Sequence, residues 1–272
     1  MRARSVLYLP ASNARAVAKA RALPCDVAVL DLEDAVAPEM KAEARAAAVA
    51  AAHEGGFGPR LGVRINGLDT PWGEDDLKAL RDAPVDLIVA PKVESPAMVR
   101  ALSAAVGPGV ALWAMIETPR ALVNLGEVAG AGGALTGLML GVNDLAKDLK
   151  TGASPDREPL KPWLAAVVAH ARANGLSVID GVFNRIQDEA GFAAECAQGR
   201  LYGFDGKSLI HPSQVEGANA AFGPSAEEIE WARKVVAAFA APEAEGRGVL
   251  RLEGEMVERL HLEQAQALLA DL

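Results

Sequence analysis

Cysteine and histidine are scarce. Two cysteines, Cys25 and Cys196, and four histidines stand among 272 residues. They are too few for a disulfide framework or a sulfur-ligated metal cluster, and the cysteines read as small buried hydrophobes. Basic charge is short as well: 27 Lys and Arg face 36 Asp and Glu, a formal net charge of −9. A phosphate backbone needs a basic surface, so a nucleic-acid partner is excluded, although a few local cations could still hold a phosphorylated small molecule. Long apolar runs are missing. No stretch approaches the roughly 18 uninterrupted apolar residues of a membrane span, and the apolar run of "MRARSVLYLPAS" is too short for a signal peptide. The sequence reads as soluble and cytoplasmic, with 51% hydrophobic residues to build a large core.

What the sequence does have is alternation. Strand-like runs recur at 5–10, 26–33, 60–66, 86–94, 110–118, 135–144, 176–183 and 201–208. Most gaps between them carry Ala-, Leu- and Arg-rich segments with apolar residues three and four apart, as helices require. Near-continuous apolar strands indicate burial on both faces, as in a parallel sheet. Eight strand-then-helix units predict an α/β fold, a (β/α)₈ TIM barrel over residues 1–223. The remainder, 224–272, holds "PSAEEIEWARKVVAAFAAPE" and "GEMVERLHLEQAQALLADL", expected as two amphipathic helices forming a C-terminal lid or oligomer arm.

Polar residues gather at the predicted strand ends. Glu33, Asp34, Arg64, Asn66, Lys92, Glu94, Glu117, Asn143, Asp144, Asp180 and Lys207 all fall at or just after them. In a barrel those ends share one face, where active sites are built. Glu117 and Asp144 lie about one β/α unit apart, and two carboxylates without His or Cys suit a hard cation such as Mg²⁺; surface carboxylates paired with Lys or Arg would look the same. Arg64 presents a planar fork either to a bound acid or to Glu33 and Asp34. Lys92 reads as a cation that neighbouring carboxylates keep protonated, and His211, before Pro212, as a structural imidazole. Asp31 receives no role beyond a structural hydrogen bond.

Taken in order, "RSVLYLPAS", "VLDLEDAVAPEMKAEAR", "VRING", "APKVES", "MIETPRALVNLGEVA", "GLMLGVNDLAKDL" and "GFDGKSLIHPSQV" resemble the citrate lyase β-subunit-like family of the aldolase/citrate lyase superfamily, which includes malyl-CoA and citramalyl-CoA lyases. The resemblance spans nearly the whole chain. It implies a homotrimeric barrel that makes or breaks carbon–carbon bonds in 3-hydroxyacyl thioesters. It also implies Mg²⁺ on Glu117 and Asp144, an oxo-acid on Arg64, and Glu33 and Asp34 orienting metal-bound water. Tyr8, Lys207 and Ser208 would contact the coenzyme A thioester.

One position departs from the family pattern. Where the lid commonly has an Asp as candidate acid/base reaching a neighbouring subunit, "GEMVERL" has Glu258, one methylene longer, and Leu260 replaces the usual Pro. The expected function is a Mg²⁺-dependent lyase that splits a malyl-CoA- or citramalyl-CoA-type substrate into acetyl-CoA and an oxo-acid. The alternatives are a citrate lyase β-subunit working on an acyl-carrier protein, a malyl-CoA thioesterase in which a lid carboxylate activates water, and a non-catalytic oxo-acid- or CoA-binding protein.

Overall fold

Apolar alternation along short strands builds a closed ring. The computed structural model describes residues 3–241 and 246–270. Its first strands and helices are β1 (Ser5–Pro10), α1 (Ala14–Ala20), β2 (Val27–Asp31), α2 (Lys41–Glu54), β3 (Arg60–Arg64), α3 (Gly73–Leu80), β4 (Leu87–Ala90) and α4 (Pro96–Ala105). There follow β5 (Ala111–Ile116), α5 (Pro119–Val123), α6 (Leu125–Ala129), β6 (Leu135–Leu140), α7 (Val142–Asp148), α8 (Lys161–Ala173), β7 (Ser177–Asp180), α9 (Glu189–Tyr202), β8 (Gly206–Leu209) and α10 (Val215–Phe222). Strands β1 to β8 pair in sequence order, all parallel, and β8 returns to β1 to close the barrel.

Period-2 alternation sorts the side chains into two cores. One set of strand residues (Val6, Val27, Val29, Leu87, Val89, Trp113, Met115, Met139 and Ile179) fills the barrel interior. The alternate set (Leu7, Ala28, Leu30, Val63, Ile88, Leu112 and Leu138) packs in a second core with the surrounding helices. Both sets are nearly solvent-free, which explains why the strands read as continuous apolar runs.

The eighth strand begins later than the sequence pattern suggested. Leu201 and Tyr202 complete α9, which ends at Gly203 in the left-handed region, and the strand starts only at Gly206.

The chain divides into two compact units, Met1–Phe222 and Gly223–Leu272. The second unit contains α11 (Ala226–Ala240), β9 (Val249–Leu252), β10 (Glu255–Glu258) and α12 (Arg259–Ala270). Both expected helices are present as α11 and α12, and the hairpin β9–β10 stands between them, taking Glu255–Glu258 from the start of the second. Leu250, Leu252 and Val257 pack with Trp231, Val235 and Leu262, and the two-residue turn Glu253–Gly254 takes positive φ at both positions, 50° and 93°. That is the turn geometry whose twist suits an antiparallel hairpin. Glu258 consequently ends a strand instead of sitting within a helix. Among the described residues, no helix is long and apolar enough to cross a membrane.

Candidate active site

The same alternation that packs the barrel delivers its polar mouth. Val27 and Val29 point inward, so Asp31 does too; Trp113 and Met115 point inward, so Glu117 follows. Arg64 ends β3 in register with Asp31. These side chains border a cavity of about 430 Å³, together with Tyr8, Asp34, Asn143, Asp144 and Ser208.

Arg64 is buried and held by its neighbours on one edge. Its Nε and Nη2 donate to Asp31 Oδ1 and Oδ2 at 2.7 and 2.6 Å, while Nη1 lies 2.9 Å from Glu33 Oε2 and 3.4 Å from Asp34 Oδ2. The guanidinium sits 5.0 Å from the Tyr8 ring centre. Burial opposes the charge, but the Asp31 hydrogen bonds and charge outweigh it and keep Arg64 protonated. The firmest partner of Arg64 is thus Asp31, with Glu33 and Asp34 secondary. The Tyr8 hydroxyl donates to Met139 Sδ at 2.8 Å, and burial pushes its pKa well up.

The turn after β2 is fixed from both sides. Asp31 accepts the backbone N–H groups of Glu33 and Ala35, and the buried Lys41 Nζ donates to the Leu32 and Glu33 carbonyls at 2.8 and 2.7 Å. Glu33 Oε2 touches Arg64 as an ion pair but is out of hydrogen-bond alignment and has no hydrogen-bond partner. Burial raises the Glu33 pKa, assisted by the charges of Asp34 and Asp31 and opposed by Arg64 and Lys92.

Lys92 ties the carboxylates together. Its backbone, left-handed at φ 50°, donates to Glu117 Oε1 at 2.8 Å, while Nζ reaches Glu33 Oε1 at 3.4 Å and Asp144 Oδ2 at 3.8 Å. Burial works against its charge, but Glu33, Glu117 and Asp144 more than compensate, so its pKa rises and the side chain remains a cation. Glu117 is only 3% exposed. Burial first, then the charges of Glu33 and Asp144, push its pKa up to about 7, against the Lys92 N–H and Arg64.

A buried carboxyl at that pKa, a half-buried Asp144 on the same cavity and an orphaned Glu33 oxygen describe excess negative charge that a divalent cation would relieve. Among the described residues no three His, Cys, Asp or Glu side chains converge as a metal cage. Mg²⁺ does not need one, because it binds through one or two carboxylates and fills its shell with water and substrate oxygens. The donor set fits. Gly141 makes room for it: a Cβ there would stand 2.3 Å from Glu117 Oε2.

Other expected residues fall elsewhere. Adjacent residues of a strand face opposite sides, so Ser208 borders the cavity and Lys207 does not. Lys207 is fully buried, donating to Asp180 Oδ2 and Glu195 Oε1 at 2.9 and 2.8 Å, beside Arg157 on the other Asp180 oxygen at 2.7 Å. Ser208 Oγ donates to the Asp180 carbonyl. Asn66 is buried and binds Asp76 through its backbone and side chain. His211 Nδ1 accepts the Ser213 N–H as a cap. Within the second unit, the Glu258 backbone N–H donates to His261 Nδ1 at 2.9 Å. Sequence reasoning gave Asp31 only a structural hydrogen bond and gave Lys41 no role; for Asp31 the inward parity of Val27 and Val29 was the available signal of a place in the mouth.

Residues 4–212 match the HpcH/HpaI aldolase/citrate lyase family. A protein of Cereibacter sphaeroides described as (3S)-malyl-CoA thioesterase is 47% identical over 268 residues, covering 98% of this chain and 93% of that protein. The citrate lyase subunit beta of Leuconostoc mesenteroides subsp. cremoris is 36% identical, covering 97% of this chain and 91% of its own. Among solved structures, protein CitE of Mycobacterium tuberculosis in complex with magnesium, acetoacetate and coenzyme A superposes with a TM-score of 0.81 at 33% identity, over 98% of this chain and 96% of that one. Similarity of this extent, on a barrel whose mouth gathers Arg64, Glu117 and Asp144, places the chain in the HpcH/HpaI aldolase/citrate lyase family.

Proposed function

We propose that this protein is a Mg²⁺-dependent carbon–carbon lyase that cleaves or forms a short 3-hydroxyacyl-CoA of the malyl-CoA or citramalyl-CoA class, with acetyl-CoA and a 2-oxo acid as the other side of the reaction. One observation carries the reading: Glu117, lifted to about 7 by burial, shares a single cavity with Asp144 and the paired cation Arg64. Glu117 and Asp144 would hold the ion. Once bound, it would polarise the oxo-acid carbonyl as a Lewis acid.

The chain's own groups supply the remainder. Arg64, charged and rotationally fixed, binds the carboxylate of the acid. Glu33 and Asp34 surround it, and Lys92 sets the positive potential between Glu33 and Asp144. In cleavage, a base takes the alcohol proton, the C–C bond breaks to give the oxo-acid, and the thioester enolate is protonated to acetyl-CoA. We assign that proton transfer to Glu258. Tyr8 and Ser208, on the cavity wall, are the proposed thioester contacts; Lys207, sealed inside its ion pairs, is not carried forward. A homotrimer in which one copy's lid serves another's mouth follows from the family resemblance, as does an acyl-carrier partner if coenzyme A is not the substrate's handle. The buried, unpaired cysteines accord with a reducing cytoplasm.

A second reading is hydrolysis of the thioester to free CoA and the hydroxy acid, supported by the 47% identity to a protein described as (3S)-malyl-CoA thioesterase. Incubating purified protein with malyl-, citramalyl- and citryl-CoA, with Mg²⁺ or EDTA, separates the two by product mass. Acetyl-CoA plus an oxo-acid, abolished by EDTA, supports the lyase; free CoA plus intact hydroxy acid supports the hydrolase; no product from any thioester overturns both.

A further inference from the structure

Asp31 is the carboxylate of the mouth for which the reaction above has no use, yet it is the most completely bonded. It is 1% exposed, and each of its oxygens accepts one guanidinium N–H and one backbone N–H. Oδ1 takes Arg64 Nε at 2.7 Å and the Glu33 N–H at 2.9 Å; Oδ2 takes Arg64 Nη2 at 2.6 Å and the Ala35 N–H at 3.1 Å. We propose that Asp31 is the positioning residue of this site. One carboxylate sets the plane of the Arg64 guanidinium and, in the same act, the turn that carries Glu33 and Asp34.

The geometry gives the reason. Arginine has four flexible side-chain torsions, and a guanidinium free to rotate would present any of its donors to the cavity. The parallel register sets Asp31 directly beside Arg64. A bidentate pair on the Nε edge removes that freedom, the Tyr8 ring packs against the guanidinium, and Nη1 is left beside Glu33 and Asp34. The two backbone N–H bonds then make the position of Glu33 depend on the carboxylate that aligns Arg64. Asparagine at 31 has the same shape but a single acceptor oxygen, and its NH₂ would face an Arg64 donor. A misplacement of about 1 Å can cost as much as roughly 100-fold in rate.

The proposal rests on Arg64 binding the acid, so its test has arms that do not need turnover. In ¹⁵N spectra of the parent protein, with the signal assigned by its loss in R64K, the Arg64 Nε–H is expected to exchange slowly. D31N is expected to lose that protection and to bind pyruvate, in the presence of Mg²⁺, about 10–100-fold more weakly, the worth of one hydrogen bond to a charged group. The chemical arm uses R64A. Added guanidinium is expected to restore turnover in R64A, and D31N/R64A is expected to show no rescue, because the added cation would lose its seat.

A rapidly exchanging Arg64 Nε–H in the parent overturns the proposal without any Asp31 variant, so misfolding of D31N does not shelter it. So does a folded D31N with parental protection and pyruvate affinity, or rescue that is equal with and without Asp31. If the parent turns over no thioester, the lyase reading fails, while the exchange measurement still decides on Asp31.

Discussion

Lys92 and Glu117 meet through the backbone: the Lys92 N–H, on a left-handed residue, donates to Glu117 Oε1 at 2.8 Å. This bond favours the carboxylate, burial favours the acid, and burial wins, with a pKa of about 7. The consequence is a proton that must leave when a cation arrives. Mg²⁺ affinity should therefore fall by about tenfold per pH unit below 7 and level off above it, since one proton is displaced per ion. Calorimetry in buffers of differing ionisation enthalpy should detect close to one proton released at pH 6 and little at pH 8. Proton release that is absent at both would refute a protonated Glu117 as the group the ion displaces a proton from, and loss of Mg²⁺ binding in E117A tests the ligand assignment itself.

Gly141 is predicted to be indispensable for a steric reason. A methyl group at this position would collide with Glu117 at 2.3 Å from Oε2 and 2.4 Å from Cβ. G141A should remain folded, losing about 1–3 kcal/mol as a small overpacking change does, yet weaken Mg²⁺ binding by about tenfold or more. Equal affinity in parent and variant would show that the displacement is absorbed without moving the carboxylate.

The Asp180–Lys207–Arg157 cluster is assigned to stability. K207M leaves Asp180 and Glu195 short of a buried partner and should cost about 3–5 kcal/mol in urea unfolding. If Lys207 instead contacted coenzyme A, K207M would raise KM for the thioester at unchanged stability.

The same cluster predicts an acid limit. Burial alone would raise the Asp180 pKa, but Lys207 and Arg157 pull it below its ordinary value. A carboxylate with a folded pKa below the unfolded one adds stability that is complete above the unfolded pKa, about 3.9, and is lost as pH falls through the folded value. Parent stability should accordingly drop steeply below about pH 4, and D180N should start lower and fall less over that window. Parallel pH profiles would contradict this.

Glu258 gives a size test. E258A should lower kcat by about 10²–10⁴-fold if the carboxylate moves the proton, and E258D, which restores the family's usual acid, should retain far more activity than E258A. Parental turnover by E258A would remove Glu258 from the reaction.

Much of this was readable in advance, for identifiable reasons. Strand alternation is local, so the β1 boundaries and the placement of Glu117 and Arg64 at the mouth follow from sequence parity. Asp144, expected at the end of a strand running to 144, instead reaches the mouth from the first turn of α7 after β6 ends at Leu140. What escaped depends on contacts across strands or on turn geometry. Asp31 was given no more than a structural hydrogen bond because its partner, Arg64, is far away in sequence and adjacent only through the β2–β3 register. Lys207 looked available because its charge fell at a strand end, but one residue of parity turns it to the helix side and onto Glu195. The hairpin of the second unit lay hidden in a charged stretch whose Glu253–Gly254 turn is its only strong marker.

The most direct test runs the reaction on malyl-CoA in D₂O with Mg²⁺ and weighs the products. Carbon–carbon cleavage through a thioester enolate predicts acetyl-CoA carrying one solvent deuterium, together with glyoxylate, both absent when EDTA is present. Free CoA with undeuterated malate, or no cleavage of either malyl-CoA or citramalyl-CoA run in parallel, would contradict the lyase account.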